Sequence, residues 1–268
     1  MVFFMHLHKA AGTTICELAV KNGYRSPGMK QDAKDVHGKK LGFNCNLVGD
    51  DPGHLGLGVE NQESTFGQAD GLMSCKRRSD HMKQLKVTFS AIERWIFPQE
   101  ICTNEFIYIT CFRDPVSRIK SSVKFHSQQT EERVISWASK HEFMASAPIS
   151  TGSASVDNFY VRSFAGKSTF LKPLGGVNSG DLASAKVILS YFEVVLILEH
   201  LDRDLVQVQK LLGWHTAVLG RAKSTDKKKV SFSPAQELFL RKRNALDYDF
   251  FEHANNVAER ITGRARAN

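Results

Sequence analysis

The run Val2-Phe3-Phe4-Met5-His6-Leu7-His8-Lys9-Ala10-Ala11-Gly12-Thr13-Thr14 opens the chain with a short apolar segment, a small-residue turn and the start of a helix. Residues 2–8 are apolar apart from two histidines near the end, which predicts a buried strand. Thr14 to Asn22 predicts a helix: Ile15, Leu18 and Ala19 recur at helical spacing, and Gly23 stands where a left-handed residue would end it. Between the two, Ala10, Ala11 and Gly12 let backbone N–H groups come close to a ligand. The helix start adds partial positive charge there, and Lys9 adds a full one. Strand, turn and helix therefore form a site of the size and sign of a phosphate or sulfate. The plainer reading of the same residues is a capping box, Thr14-Ile15-Cys16-Glu17, beside a solvated lysine. A Walker A loop is excluded, because it needs Gly-Lys-Ser/Thr at the helix start and here the lysine precedes the glycine by three positions.

About a hundred residues on, Phe106-Ile107-Tyr108-Ile109-Thr110-Cys111-Phe112 is a second buried-strand pattern, and it runs directly into Arg113-Asp114-Pro115-Val116-Ser117-Arg118. Asp114 and Pro115 suit the N-cap and first position of a helix. Helical spacing groups Arg118, Ser121 and Ser122 near one face and leaves Val116, Ile119 and Val123 for the sheet. An arginine at the strand end and serines one to two turns later can meet one anion; the alternative is a local ion pair for Arg113 and solvated serines.

With these two segments the chain resembles the carbohydrate-type sulfotransferase family, of the heparan sulfate 2-O-sulfotransferase-like superfamily, which uses 3′-phosphoadenosine-5′-phosphosulfate (PAPS). The 5′-phosphosulfate motif of that family is similar to His-x-x-Lys-x-x-Gly-Thr-Thr, matched by His6, Lys9, Gly12, Thr13 and Thr14. Its 3′-phosphate motif is similar to Arg-Asp-Pro-x-x-Arg-x-x-Ser, matched by Arg113, Asp114, Pro115, Arg118 and Ser121. Asp157 to Arg162, Val194 to Glu199, Leu211-Leu212-Gly213-Trp214 and Asn244-Ala245-Leu246-Asp247 also look like the family, so the resemblance spans most of the chain. It implies a P-loop-NTPase-like sulfotransferase fold and PAPS as sulfuryl donor without a metal. It further implies that Lys9, Ala11, Gly12, Thr13 and Thr14 hold the 5′-phosphosulfate, and Arg113 with Ser121 the 3′-phosphate.

The whole chain agrees with one α/β domain, residues 1–268, with a mainly parallel central sheet flanked by helices. It has 268 residues, 42% of them hydrophobic, and no Pro/Gly/Ser-rich linker. Apolar runs at 2–8, 86–92, 106–112 and 194–198 alternate with helical patterns, placing ligands at the strand carboxyl ends. The net charge of +8 suits anionic ligands. Lys76-Arg77-Arg78 and the basic run Arg221–Lys229 lack interleaved aromatics, which disfavours nucleic acid as partner. Residues 24–85 are rich in Gly, Asp, Asn and charge, and read as an irregular acceptor-binding insertion. Five cysteines follow no metal-ligand spacing. The odd count favours a reducing compartment, with a Cys45–Cys75 bridge across the irregular stretch as the pairing open to it. With the core strand at its very start, the chain leaves no room for a leader or membrane segment, which points to the cytoplasm, or to the Golgi lumen for a catalytic domain parted from its anchor.

A hydroxyl acceptor, whether carbohydrate or small molecule, must lose a proton, so a base is expected at a strand end near the catalytic Lys9. Many animal members of the family carry a histidine on the strand before the arginine motif, and this chain has no clear match to it. Glu93, twenty residues before Arg113 at the end of an expected strand, is the candidate; His81 and His54 are the reserves. The structural alternative for Glu93 is an ion pair with Arg94. His6 and His8 read as strand residues bracing the first anion loop. The competing functions are a nucleotide-dependent kinase or NTPase on a similar sheet, disfavoured by the missing Gly-Lys-Ser/Thr, and a non-catalytic binder of anionic ligands.

Overall fold

The computed structural model describes residues 1–27, 45–47, 74–125, 130–139, 154–215 and 230–267. Four parallel strands, β1 (Val2–Met5), β2 (Phe89–Ile92), β3 (Ile107–Phe112) and β4 (Val194–Ile197), form one sheet in the order β2-β1-β3-β4. The register pairs Val2 with both Phe89 and Ile107, and Ile109 with Val194. All four expected strands are present, trimmed at their ends. β2 starts at Phe89 rather than residue 86 because Lys86 takes a left-handed φ of 54°.

Continuous apolar runs are what a parallel sheet covered on both faces requires. Alternate residues split between two cores: Phe3, Met5, Tyr108, Phe112, Val195 and Ile197 face one way, Val2, Phe4, Ile109, Cys111, Val194 and Leu196 the other. Ten helices occur among the described residues. On the first face lie α2 (Cys75–Gln84), α5 (Phe159–Phe164), α6 (Lys167–Phe170), α7 (Ser179–Leu189) and α10 (Ala245–Ala267); on the second lie α1 (Gly12–Lys21) and α8 (Leu201–Leu212). Off the sheet, α3 (Pro115–Phe125), α4 (Glu131–Ser139) and α9 (Pro234–Arg243) make a third cluster. Val116, Ile119 and Val123 belong to that cluster with Phe232 and Leu240, so the apolar face of α3 meets other helices, which corrects the expectation that it would pack on the sheet.

Both rims of the sheet are closed. Along β2, Asn46 bridges Ala91 in parallel: the Ala91 N–H donates to Cys45 O (2.8 Å) and the Leu47 N–H to Ala91 O (2.9 Å). Along β4, side chains of α8 replace a fifth strand. Gln207 accepts from the Val195 N–H (3.0 Å) and donates to Val195 O (2.9 Å), while Asp204 accepts from the Ile197 N–H (2.9 Å). An unpaired rim invites foreign strands, and these contacts occupy it.

The cysteines correct two expectations. Cys16 is bonded to Cys45 and Cys75 to Cys102, each with Cα atoms 5.8 Å apart, and Cys111 is free and buried. Cys45 and Cys75 are thus not partners, and the odd count does not signal a reducing compartment: the fifth thiol is simply a core residue on β3. Within 24–85, residues 75–84 are helical, and His54 lies outside the described residues, as does the basic run 221–229. No helix among the described residues is long and apolar enough to cross a membrane.

Candidate active site

β1 and β3 are neighbours whose onward connections leave toward opposite sides of the sheet, and such a switch point is where an open α/β sheet leaves a crevice at its carboxyl edge. The Lys9 loop and the Arg113 loop flank that crevice, and they touch: Arg113 Nη1 donates to Lys9 O (3.4 Å).

The first loop is strained at two positions. Lys9 (φ 65°) and Ala11 (φ 63°) both sit in the left-handed region, which costs a residue with a Cβ about 1–2 kcal/mol. This winding starts α1 at Gly12, two residues before the expected Thr14, with Ala11 as N-cap and no side-chain cap. The Thr14–Glu17 capping box is therefore absent, because Thr14 already lies inside the helix, and no side chain caps the first-turn N–H groups of α1. Gly12 is buried beneath His6: a Cβ there would fall 1.6 Å from His6 Nε2. Glycine is required here for room. Thr13 is exposed, and Ala11 and Thr14 are half-buried beside it.

β1 ends at Met5, so both histidines belong to this loop and not to the strand. They converge on Glu93, the first residue past β2 and only 3% exposed. His8 Nδ1 is 2.8 Å from Glu93 Oε1 and His6 Nδ1 3.7 Å from Oε2, with His6 stacked on Phe4 (5.5 Å between centroids). Asn46 Nδ2 donates to Glu93 Oε2 (3.4 Å). Burial holds the His8 imidazole below its ordinary 6.5 against the upward pull of Glu93, so it is neutral at pH 7. Arg94 does not pair with Glu93: its Nη1 donates to Glu100 Oε2 (2.9 Å), and Arg78 joins the same buried carboxylate (2.8 Å). His81 lies on α2, whose Lys76, Ser79, Asp80 and Lys83 share a surface depression with Met1 at the amino edge of the sheet; the fold does not bring it to Glu93 and Lys9.

The second loop follows the expected cap. Asp114 Oδ1 accepts from the Ser117 N–H (2.7 Å), its Oδ2 from the Tyr248 hydroxyl (3.1 Å), and its own N–H donates to Glu199 Oε1 (3.0 Å). The Tyr160 hydroxyl donates to Arg113 O (2.6 Å), fixing the backbone from which the half-buried Arg113 side chain projects. Ser121 is half-buried two turns into α3, whereas Ser122 turns inward. Arg118 is buried under the Phe159 ring (4.4 Å) and donates to Ser155 O; it supports the loop from below.

Two other family-like segments meet behind this loop. Asp247 accepts from the N–H groups of Tyr160 and Val161 (3.0 Å each), and Asn244 Oδ1 from the Asn158 N–H (2.9 Å). Arg162 pairs with Asp157 and donates to the carbonyls of Thr169, Phe170, Lys172 and Pro173, a purely structural employment.

Sequence reading missed the pairing of His8 with Glu93 and the arrival of Asn46. The signal for His8 was its place next to Lys9 at a strand end; Asn46 sits in a stretch without periodicity. Among the described residues no group of three or more His, Cys, Asp or Glu side chains is arranged to hold a metal. A family model described as galactose-3-O-sulfotransferase matches residues 93–266, well over half of the chain, beginning at Glu93 and including the Arg113 loop. No curated protein matches the chain.

Proposed function

The chain belongs to the galactose-3-O-sulfotransferase family and is a carbohydrate sulfotransferase; from that footing we propose that it moves the sulfuryl group of PAPS to the 3-hydroxyl of a galactose residue in a carbohydrate acceptor. The observation that carries this reading is the contact of the Lys9 and Arg113 loops at the switch point, with the Glu93–His8 pair one strand away. The residues fit the donor: uncapped N–H groups of α1 with Lys9 suit the 5′-phosphosulfate, and Arg113 with Ser121 the 3′-phosphate. Ala11, Gly12, Thr13 and Thr14 supply the backbone of the first site.

Sulfuryl transfer, like phosphoryl transfer, asks for in-line placement and charge stabilisation more than covalent help. The acceptor oxygen forms its bond to sulfur as the bridging bond to the 5′-phosphate breaks. Lys9 and the first N–H groups of α1 meet the charge gathering on the departing phosphate oxygen. The base is the Glu93–His8 pair. Glu93 is too deeply buried to reach a sugar, so it positions, and His8 accepts: a carboxylate on Nδ1 fixes the hydrogen there and leaves the Nε2 lone pair to take the hydroxyl proton. The two disulfides suit an oxidising compartment, such as the Golgi lumen, better than the cytoplasm.

Incubation with radiolabelled PAPS and a panel of galactose-terminated, other carbohydrate and small-molecule alcohol acceptors tests this, with thermal shift by 3′-phosphoadenosine-5′-phosphate against ATP and Mg²⁺. Label on galactose and a shift specific to the bisphosphate are expected. A larger shift with ATP and Mg²⁺, and no labelled sugar, would point to the kinase class instead.

A further inference from the structure

The three residues Cys45 to Leu47 reach the active site from a distant stretch of sequence. They lie on β2 through two backbone hydrogen bonds, with Cys45 and Leu47 fully buried. An isolated bridge of this kind supplies little hold of its own. Its covalent hold is Cys16, on the buried face of α1, the helix that begins at the Lys9 loop. What the strand delivers is Asn46, whose Nδ2 meets Glu93 Oε2, while Glu93 Oε1 meets His8. Each carboxylate oxygen thus has a partner from a different segment, and rotation of Glu93 would break both contacts together.

We propose that Asn46 is a positioning residue for sulfuryl transfer, held on Glu93 by the Cys16–Cys45 disulfide, so that breaking this one disulfide slows turnover while the donor site stays intact. This rests on the reading of His8 as the base. A dithiol reductant would attack one sulfur of the bridge and free the other as a thiol, then close its own ring on the mixed disulfide to free the first, leaving two cysteine thiols and the oxidised reductant. The segment would then lose its covalent tie to α1 and, among the contacts described, rest on its two backbone hydrogen bonds and the packing of Cys45 and Leu47. A small displacement of a catalytic group costs up to about 100-fold in rate.

The test compares Asn46→Ala, Asn46→Asp and the pair Cys16→Ser/Cys45→Ser with Cys75→Ser/Cys102→Ser, which removes the bridge that does not hold the Asn46 segment, and with His8→Ala. The measurements are kcat, the affinity for 3′-phosphoadenosine-5′-phosphate, and kcat/KM against pH. His8 is faced by Glu93, by His6 from its own loop and by Arg118 from α3. A second carboxylate at position 46 favours its protonated form, so Asn46→Asp moves the acid limb to higher pH. Asn46→Ala and Cys16→Ser/Cys45→Ser lower kcat by roughly 10- to 100-fold, with nucleotide affinity little changed. Cys75→Ser/Cys102→Ser leaves kcat near wild type. If Cys16→Ser/Cys45→Ser does not fold, the Asn46 variants, which keep the disulfide, decide. Unchanged kcat and acid limb in both Asn46 variants beside an inactive His8→Ala overturn this inference alone. An active His8→Ala overturns the reading beneath it. Equal losses on removing either bridge, or loss of nucleotide affinity with kcat, overturn the inference by showing general loosening.

Discussion

At the scale of single residues, the site depends on groups whose environment differs from their ordinary one. His8 is held below 6.5 by burial, so its neutral form persists to lower pH than that of a solvated histidine. The acid limb of kcat/KM is therefore expected below pH 6.5, with activity lost as pH falls through the folded value. The sign for stability agrees: a depressed histidine leaves the unfolded chain to take the proton first, so the fold weakens as pH drops below about 6.5. His8→Ala is expected to cut turnover by roughly 10²–10⁴, the worth of a general base, with nucleotide affinity kept; a flat profile in the wild type would place the base elsewhere. Gly12 gives a separate check. A methyl group there meets the His6 ring at 1.6 Å, so Gly12→Ala must displace His6 or the loop. Donor affinity should fall about tenfold or more, the worth of one or two charge-assisted hydrogen bonds, and His6→Ala in the same chain should restore part of it. Calorimetric titration with 3′-phosphoadenosine-5′-phosphate reads both; wild-type affinity for Gly12→Ala would mean that the ring yields freely.

Among the elements, the joint between α5 and α10 carries the Arg113 loop. Asp247 sits at this joint, fully buried, and burial raises its carboxyl to about 6. The folded chain thus holds a proton there more readily than the unfolded one, so this group subtracts stability as pH rises from about 4 to 6. Even so, its removal costs more: Asp247→Ala strands two buried N–H groups, at about 2–4 kcal/mol together, and a drop in Tm of roughly 5–15 °C follows. Thermal unfolding at pH 7 measures it, and an unchanged Tm would show that the joint is held otherwise. The elements also show what could be read in advance. β1, β3, α1, the Asp114–Pro115 cap and Gly23 after α1 follow from apolar runs, spacing and turn chemistry, all local properties. The left-handed Lys9 and Ala11, the alliance of Arg94 with Glu100, and the turn of α3 toward α4 and α9 are set by tertiary packing. No local pattern encodes them. Glu93 was legible as a strand-end carboxylate near Lys9; its partners His8 and Asn46 come from the loop after β1 and from the irregular stretch, and only the register of the folded sheet unites them.

For the molecule as a whole, the order β2-β1-β3-β4 was not written in the strand patterns, yet it fixes which two loops share the crevice. The same order leaves β2 and β4 outermost among the described strands, and the two are sealed by different means, one by the disulfide-tethered backbone of residues 45–47 and one by α8 side chains. At Val195 the β4 seal rests on one amide: Gln207 satisfies both the N–H and the carbonyl, and is itself steadied by Thr262 (3.0 Å). Gln207→Leu would keep the bulk and lose the polar match, leaving the N–H and the carbonyl of Val195 unanswered at the rim. Light scattering at rising protein concentration should then grow against wild type, while the sulfuryl transfer rate of the remaining monomer holds; equal scattering would show that Asp204 suffices. Among the described residues, a second copy could continue this sheet at Ala91, Val195 or Ile197 only by first displacing the chain's own contacts there, so the crevice between β1 and β3 is shielded from strand-mediated crowding at those positions.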